Sequence, residues 1–236
     1  MDVVASFAVR PDVLIVHGAF SDEAARQVSN GYAFRFACVI ESQGYQSAKR
    51  VIAVDPALEL RARRFHGGRA TMIPNPVDLN TFAIRDKDEC KKRLGFGTDK
   101  KIIAFVGHLP EKFVDQIPIW RNQLEALGFA TIHIREVPYE MMPIYYNAAD
   151  IVVSMSRVVA FMRTAVEALA CGTPIISNNS PLAVYCTPEN LVETVSAFVP
   201  SESREELRLK ALPFEVNLIC SRLMQVLLDE NWKPRT

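Results

Sequence analysis

What the sequence lacks narrows the field first. Its 236 residues contain no CxxC pair, and the five cysteines (Cys38, Cys90, Cys171, Cys186, Cys220) are scattered and odd in number. That excludes a disulfide framework and a cysteine zinc site, and suits a reducing cytosol. No GxGxxG follows a strand-like run and no Walker lysine loop is present, so nicotinamide and NTPase readings lose their anchor. Neither charge sign is in excess: 27 basic and 27 acidic side chains cancel, leaving no global field to draw the chain to nucleic acid or an anionic bilayer. No apolar run approaches the length of a bilayer span, and Met1 and Asp2 are not followed by a basic, apolar leader. The expectation is a cytoplasmic chain, soluble or at most peripheral at a membrane. Internal repeats and low-complexity tracts are absent as well.

What is present reads as an α/β protein. A hydrophobic content of 49% is ample for a packed core in one large or two small domains. Branched apolar runs bounded by glycine and proline predict strands at Asp12–His17, Val51–Asp55, Lys101–Val106 and Thr131–Val137, with a last strand at Phe198–Pro200. Apolar spacing predicts helices over Phe34–Ala48, over Ala57–Phe65 after Pro56, over Asp115–Leu127, and over Glu215–Asp229. A short helix is expected from Thr187, and a solvated one over the charge-rich Arg85–Arg93. Asp86 and Asp88 have the spacing of a cation-holding D-x-D, but within such a charge run they read as a solvated face, and no metal ligand is assigned.

The stretch from Tyr145 to Ser177 is the most informative. An alanine-rich turn ends at Asp150, a buried strand follows at Ile151–Ser154, a helix is expected near Phe161–Ala170, and a further strand at Ile175–Ser177. This strand-helix-strand run, with Gly172 just after the helix, builds a parallel sheet. The helix is apolar except at Arg163, Thr164 and Glu167, which share one narrow face. An Arg163–Glu167 pair on a strip of surface is one account of that face, and a ligand site is the other.

The words YNAAD (Tyr146–Asp150) and VEALACGTPII (Val166–Ile176) resemble the most recognisable part of the GT-B glycosyltransferases of the large retaining group, glycosyl transferases group 1. IPNPVDLNTF (Ile73–Phe82) is similar to the family word that marks the crossing into the donor domain. The resemblance implies a Rossmann-like doubly wound parallel sheet, the GT-B-type donor domain, over residues 71–212. A reduced acceptor-side α/β region would cover 1–70 and a closing helix 213–236. It also implies that Glu167 binds the ribose hydroxyls of a nucleotide sugar. The family's earlier glutamate, in an E-G-F-G context, is Val159 here, followed by Ala160, Phe161 and Met162. The loop GHLPEK (Gly107–Lys112) stands where the family reads G-R-L-x-x-x-K, whose cations hold the diphosphate. His108 takes the arginine's place and Lys112 arrives one residue early.

If the sheet is doubly wound, ligands bind beyond the strands' carboxyl ends where the winding reverses. The resemblance then implies donor-binding residues Gly107, His108, Lys112, Arg163, Thr164 and Glu167, with His17 and Lys112 in catalytic roles. The expected activity is metal-independent, retaining glycosyl transfer from a UDP- or GDP-linked sugar, without a cofactor. The acceptor would be an unknown glycan, lipid or small molecule. Two alternatives stand beside it: a non-catalytic relative serving as scaffold or partner-binding subunit, and a chain that needs a partner polypeptide to complete its acceptor half.

Overall fold

The computed structural model describes residues 13–16, 42–65, 70–107, 113–157 and 163–228. By internal contacts they divide into two units, one made of 13–16, 42–65, 70–76 and 217–228, the other of 77–107, 113–157 and 163–216.

In the first unit β1 (Val13–Val16), β2 (Arg50–Ala53) and β3 (Ala70–Met72) form a parallel sheet in that order, with Val16 opposite Ala53 and Ala53 opposite Met72. Val51, Ile52 and Ala53 are buried on both faces, the pattern of a central parallel strand. Helix α1 (Pro56–Phe65) opens on proline, whose missing amide is harmless at that position, and Asp55 Oδ1 caps it by accepting from the Leu58 amide at 2.9 Å.

The second unit begins at Val77, within the Ile73–Phe82 word. Its helix α2 (Lys87–Arg93) is not the solvated element expected, since Cys90 and Lys91 are buried in it. Asp86 is its N-cap, accepting from the Glu89 amide at 2.7 Å, which accounts for half of the D-x-D pattern. There follow β4 (Ile102–Val106), α3 (Ile117–Ala126), β5 (Ala130–Ile134), a 3₁₀ turn (Tyr139–Met141) and α4 (Met142–Ala148). Next come β6 (Ile151–Val153), α5 (Arg163–Ala170), β7 (Ile175–Ser177), β8 (Val184–Tyr185), α6 (Leu191–Ala197) and α7 (Arg204–Leu209).

Four further expectations need correction. The fifth strand stops at Ile134, before the Val137–Pro138 step. The alanine-rich turn is a helix, α4. Phe198–Pro200 is not a strand: Phe198 ends α6 and packs on the core, and the last strand is β8. The short helix expected from Thr187 starts at Leu191 instead.

The sheet is wholly parallel, in the order β5-β4-β6-β7-β8. The chain steps from β4 outward to β5 and then returns past β4 to β6, so the winding reverses between β4 and β6. Phe105, Trp120, Leu124, Val153 and Leu191 pack one face beneath α3 and α6, while α4 meets β4 and α5 meets β7 on the other. The sheet is therefore doubly wound, as expected. Gly172 ends α5 at φ +69°, with its amide and that of Thr173 donating to Leu169 and Ala168 at 2.9 Å each. A Cβ there would stand 2.7 Å from Arg204 Cβ and 2.8 Å from its carbonyl oxygen, so only glycine fits. Helix α8 (Val216–Leu228) closes the chain on the first unit, burying Ile219 and Val226 with Ile52 and Ile73. Arg50 donates to the carbonyls of Val226 and Leu227 at 2.6 Å each, near its end.

Among the described residues no helix is long and apolar enough to cross a membrane.

Candidate functional site

Much of the YNAAD word is structural. Asn147 is fully buried: its Oδ1 accepts from the Arg85 amide at 2.7 Å and from Arg204, and its Nδ2 donates to Ala83 and Pro143 at 3.0 and 2.8 Å. Asp150 accepts from the Ile102 amide at 2.8 Å and from Lys87 at 2.9 Å, with Lys91 Nζ at 3.2 Å. Burial works against its ionised form, yet that amide and the two ammonium groups hold its carboxyl below the usual range. Arg204 and Arg208 donate to the carbonyls of Cys171 and Ala170, serving the last carbonyls of α5. These bonds fix α4, β6 and α5 relative to one another.

Against that frame lies a cavity of about 400 Å³ at the carboxyl ends of three strands. Val106 and Gly107 line it at the end of β4, residues 134–137 at and after the end of β5, and Ser154 just after β6, with Tyr139, Met142, Tyr146, Arg163, Thr164 and Glu167 completing the wall. It sits where the winding reverses, the place this topology reserves for ligands.

Glu167 is the centre of it. Although only 3% exposed, the carboxylate has partners on both oxygens, since Tyr139 donates to Oε1 at 2.9 Å and Tyr146 to Oε2 at 3.0 Å. Arg163 Nε stands 3.5 Å from Oε1, and its guanidinium lies 5.9 Å from the centre of the Tyr139 ring. The pair is thus not a strip of surface: Arg163 is exposed and Glu167 is not. Burial pushes the Glu167 carboxyl up from its ordinary value, and the tyrosine hydroxyls and then Arg163 pull it part of the way back. Burial and the adjacent carboxylate push both phenols up, which keeps them as donors. Each carboxylate oxygen has two acceptor sites, so two remain for a ligand's hydroxyls after the tyrosines are served.

Phe82, the last residue of the connector word, sets the tyrosines. Its ring meets Tyr139 edge-on at 5.4 Å and lies 6.1 Å from Tyr146. Gly107 has φ 150°, a region that favours glycine, and its carbonyl accepts from His133 Nε2 at 2.7 Å.

Of the residues singled out from sequence, the structure brings together Gly107, Arg163, Thr164 and Glu167. His17, His108 and Lys112 lie outside the described residues, as does Val159. Sequence reasoning missed Tyr139, Tyr146, Ser154 and His133; only Tyr146, the first letter of YNAAD, carried a signal that pointed to it. Among the described residues no group of three His, Cys, Asp or Glu side chains stands close enough to hold a metal ion.

Residues 121–200 match the family described as Glycosyl transferases group 1. The D-inositol 3-phosphate glycosyltransferase of Geodermatophilus obscurus is 28% identical over 178 residues, covering 58% of this chain and 39% of that protein. The putative teichuronic acid biosynthesis glycosyltransferase TuaC of Bacillus subtilis is 27% identical over 194 residues, covering 74% of this chain and 48% of its own length. The chain therefore spans less than half the length of these relatives. Among solved structures, sucrose-phosphate synthase from Thermosynechococcus elongatus superposes with a TM-score of 0.74 at 19% identity, covering 91% of this chain and 66% of that one. HepE of Anabaena, in complex with UDP-glucose, gives 0.69 at 19% identity, covering 95% and 74%. At such identity these two structures establish the fold, which is of GT-B type.

Proposed function

We propose, from the premise that this chain is a GT-B relative of the group 1 glycosyltransferases, that it binds a nucleotide sugar in the Glu167 cavity and transfers the sugar to an acceptor hydroxyl. One observation carries the reading. A buried carboxylate, held in place by two tyrosines, faces a cavity at the reversal of the sheet. An acceptor-only group with free lone pairs in such a place suits a ligand that presents neighbouring hydroxyls, as a ribose does. HepE, whose fold this chain shares, binds UDP-glucose.

In this reading Glu167 orients the nucleoside. Arg163, with Lys112 and His108 from the GHLPEK word, stabilises the charge that grows on the departing diphosphate. Fixed cations act where charge develops in the transition state, so the step is taken as metal-independent. The donor is UDP- or GDP-linked, the anomeric configuration is retained, His17 serves the acceptor side, and the acceptor is a glycan, lipid or small molecule. A thermal melt with UDP, GDP and ADP and their sugars tests the binding half. A cognate nucleotide at about 100 times its Kd stabilises the fold by about 2.7 kcal/mol, and Glu167→Ala abolishes the shift. No shift with any of them contradicts the reading.

Val159, in place of the family's earlier glutamate, favours a second reading, a nucleotide-binding relative without turnover. Transfer of a labelled sugar to any acceptor, lost in Lys112→Ala, decides for the enzyme. Specific capture of a second chain that is needed for activity would show that the acceptor half is supplied in trans.

A further inference from the structure

Within the cavity wall one buried polar group is left over. Ser154 is 1% exposed, and its Oγ has no hydrogen-bond partner among the described residues. The neighbouring residues explain its position. Val153 and Met155 point into the core beneath α3 and α6, so the alternation of the strand turns Ser154 to the other face, where it lines the cavity. Its backbone is fixed, with the amide donating to the Ile176 carbonyl at 3.1 Å. Two residues on, Ser156 follows the usual rule for buried polar groups: its amide and carbonyl are both paired with the Asn178 side chain, at 2.9 and 2.7 Å. A buried hydroxyl with nothing to bond is unfavourable in the free protein, and a ligand that reaches it recovers that loss.

The cavity's geometry says which part of a ligand reaches it. Its floor runs across strand ends in the order β5, β4, β6, about 10 Å from first to last at ordinary strand spacing. Glu167 lies on α5, one turn after Arg163 at the start of that helix. Ser154 is at the β6 end, past Gly107, whose lack of a side chain leaves the backbone between them open to close approach. In the nucleotide-sugar reading the diphosphate lies between Arg163 and the Gly107 end of β4, and the pairing of Val153 with Phe105 sets Ser154 level with Val106 at that end.

We infer that Ser154 is a ligand-contacting residue whose hydroxyl donates a hydrogen bond to a phosphoryl oxygen of the bound nucleoside diphosphate. This rests on the nucleotide-sugar reading of the cavity and adds to it a contact on the diphosphate side.

Calorimetric titration of uridine, UMP and UDP into the full chain and into Ser154→Ala tests it, with GDP and guanosine in parallel. The variant keeps or exceeds the wild-type melting temperature, because it removes a buried hydroxyl without a partner. Its Kd for the diphosphate rises about tenfold or more, as a hydrogen bond to a charged group implies, while nucleoside affinity is unchanged. Equal diphosphate affinity in the two proteins overturns the inference and leaves the nucleotide-sugar reading intact. An equal loss for the nucleoside also overturns it, by moving the contact to the ribose or base. A lower melting temperature with proportionate loss for every ligand assigns Ser154 to the fold instead. If the wild type binds none of these nucleotides, the parent reading fails and takes this inference with it.

Discussion

A carboxylate that is 3% exposed on a helix needs partners, and those of Glu167 come from elements well upstream of it, Tyr139 on a 3₁₀ turn and Tyr146 on α4. Helical spacing made its link to Arg163 legible, but spacing along one helix is silent about what packs over it, so the pair read equally well as surface. The burial has a pH signature. Because the folded protein disfavours ionised Glu167, its contribution to stability is fully present below the unfolded value of 4.5 and is lost as pH rises through the raised folded value. Glu167→Gln lacks this loss, so in melts from pH 4 to 8 the variant should gain on the wild type as pH rises. Asp150 runs the other way. Its carboxyl is held below 3.8, so its contribution is present above that value and is lost as pH falls through the lower folded one. Asp150→Ala leaves Lys91, buried at 4% exposure, without its carboxylate, and denaturant titration at neutral pH should show a loss of about 3 kcal/mol.

The elements that were legible are those with a strong period or an unbroken apolar run: β1, β2, β4, β6, β7, α1, α3, α5 and α8. Those that were not are short and defined by partners. Helix α4 reads locally as an alanine-rich turn because its order comes from the Asn147 network and from the fit of Ile144 and Ala148 against Cys90. Helix α7 is six residues long, and what places it is the reach of Arg204 and Arg208 into carbonyls far away in sequence, Phe82 and Ala170 among them. Phe198–Pro200 had a strand's composition but packs as the end of α6, since the sheet's last position is already taken by β8. The glycine signal after α5 was legible and is strict. Gly172→Ala meets both a left-handed φ and the Arg204 backbone, so chemical denaturation should report a loss of about 2 kcal/mol, with nucleotide affinity falling as α5 shifts.

At the scale of the molecule, three sequence words with separate positions in the chain meet around one side chain. Phe82 from the connector wedges the tyrosines, Tyr146 from the second word holds the carboxylate, and Glu167 from the third supplies it. That convergence was implied by the resemblance but not by any spacing within the chain, because it is made by the sheet's winding. Residues 1–70, expected to serve an acceptor, carried far less signal, and the chain spans only 39% of one relative and 48% of another. The claim that the cavity grips a nucleotide by its ribose through Glu167 is tested most directly by comparing UDP (or GDP, if that is the cognate base) with its 2′,3′-dideoxy analogue on the wild type and on Glu167→Ala. The account predicts that removing the two hydroxyls weakens wild-type binding by about tenfold or more, and that the variant binds both compounds equally and weakly. Equal affinity of the wild type for the two nucleotides, or full discrimination surviving in Glu167→Ala, would contradict it.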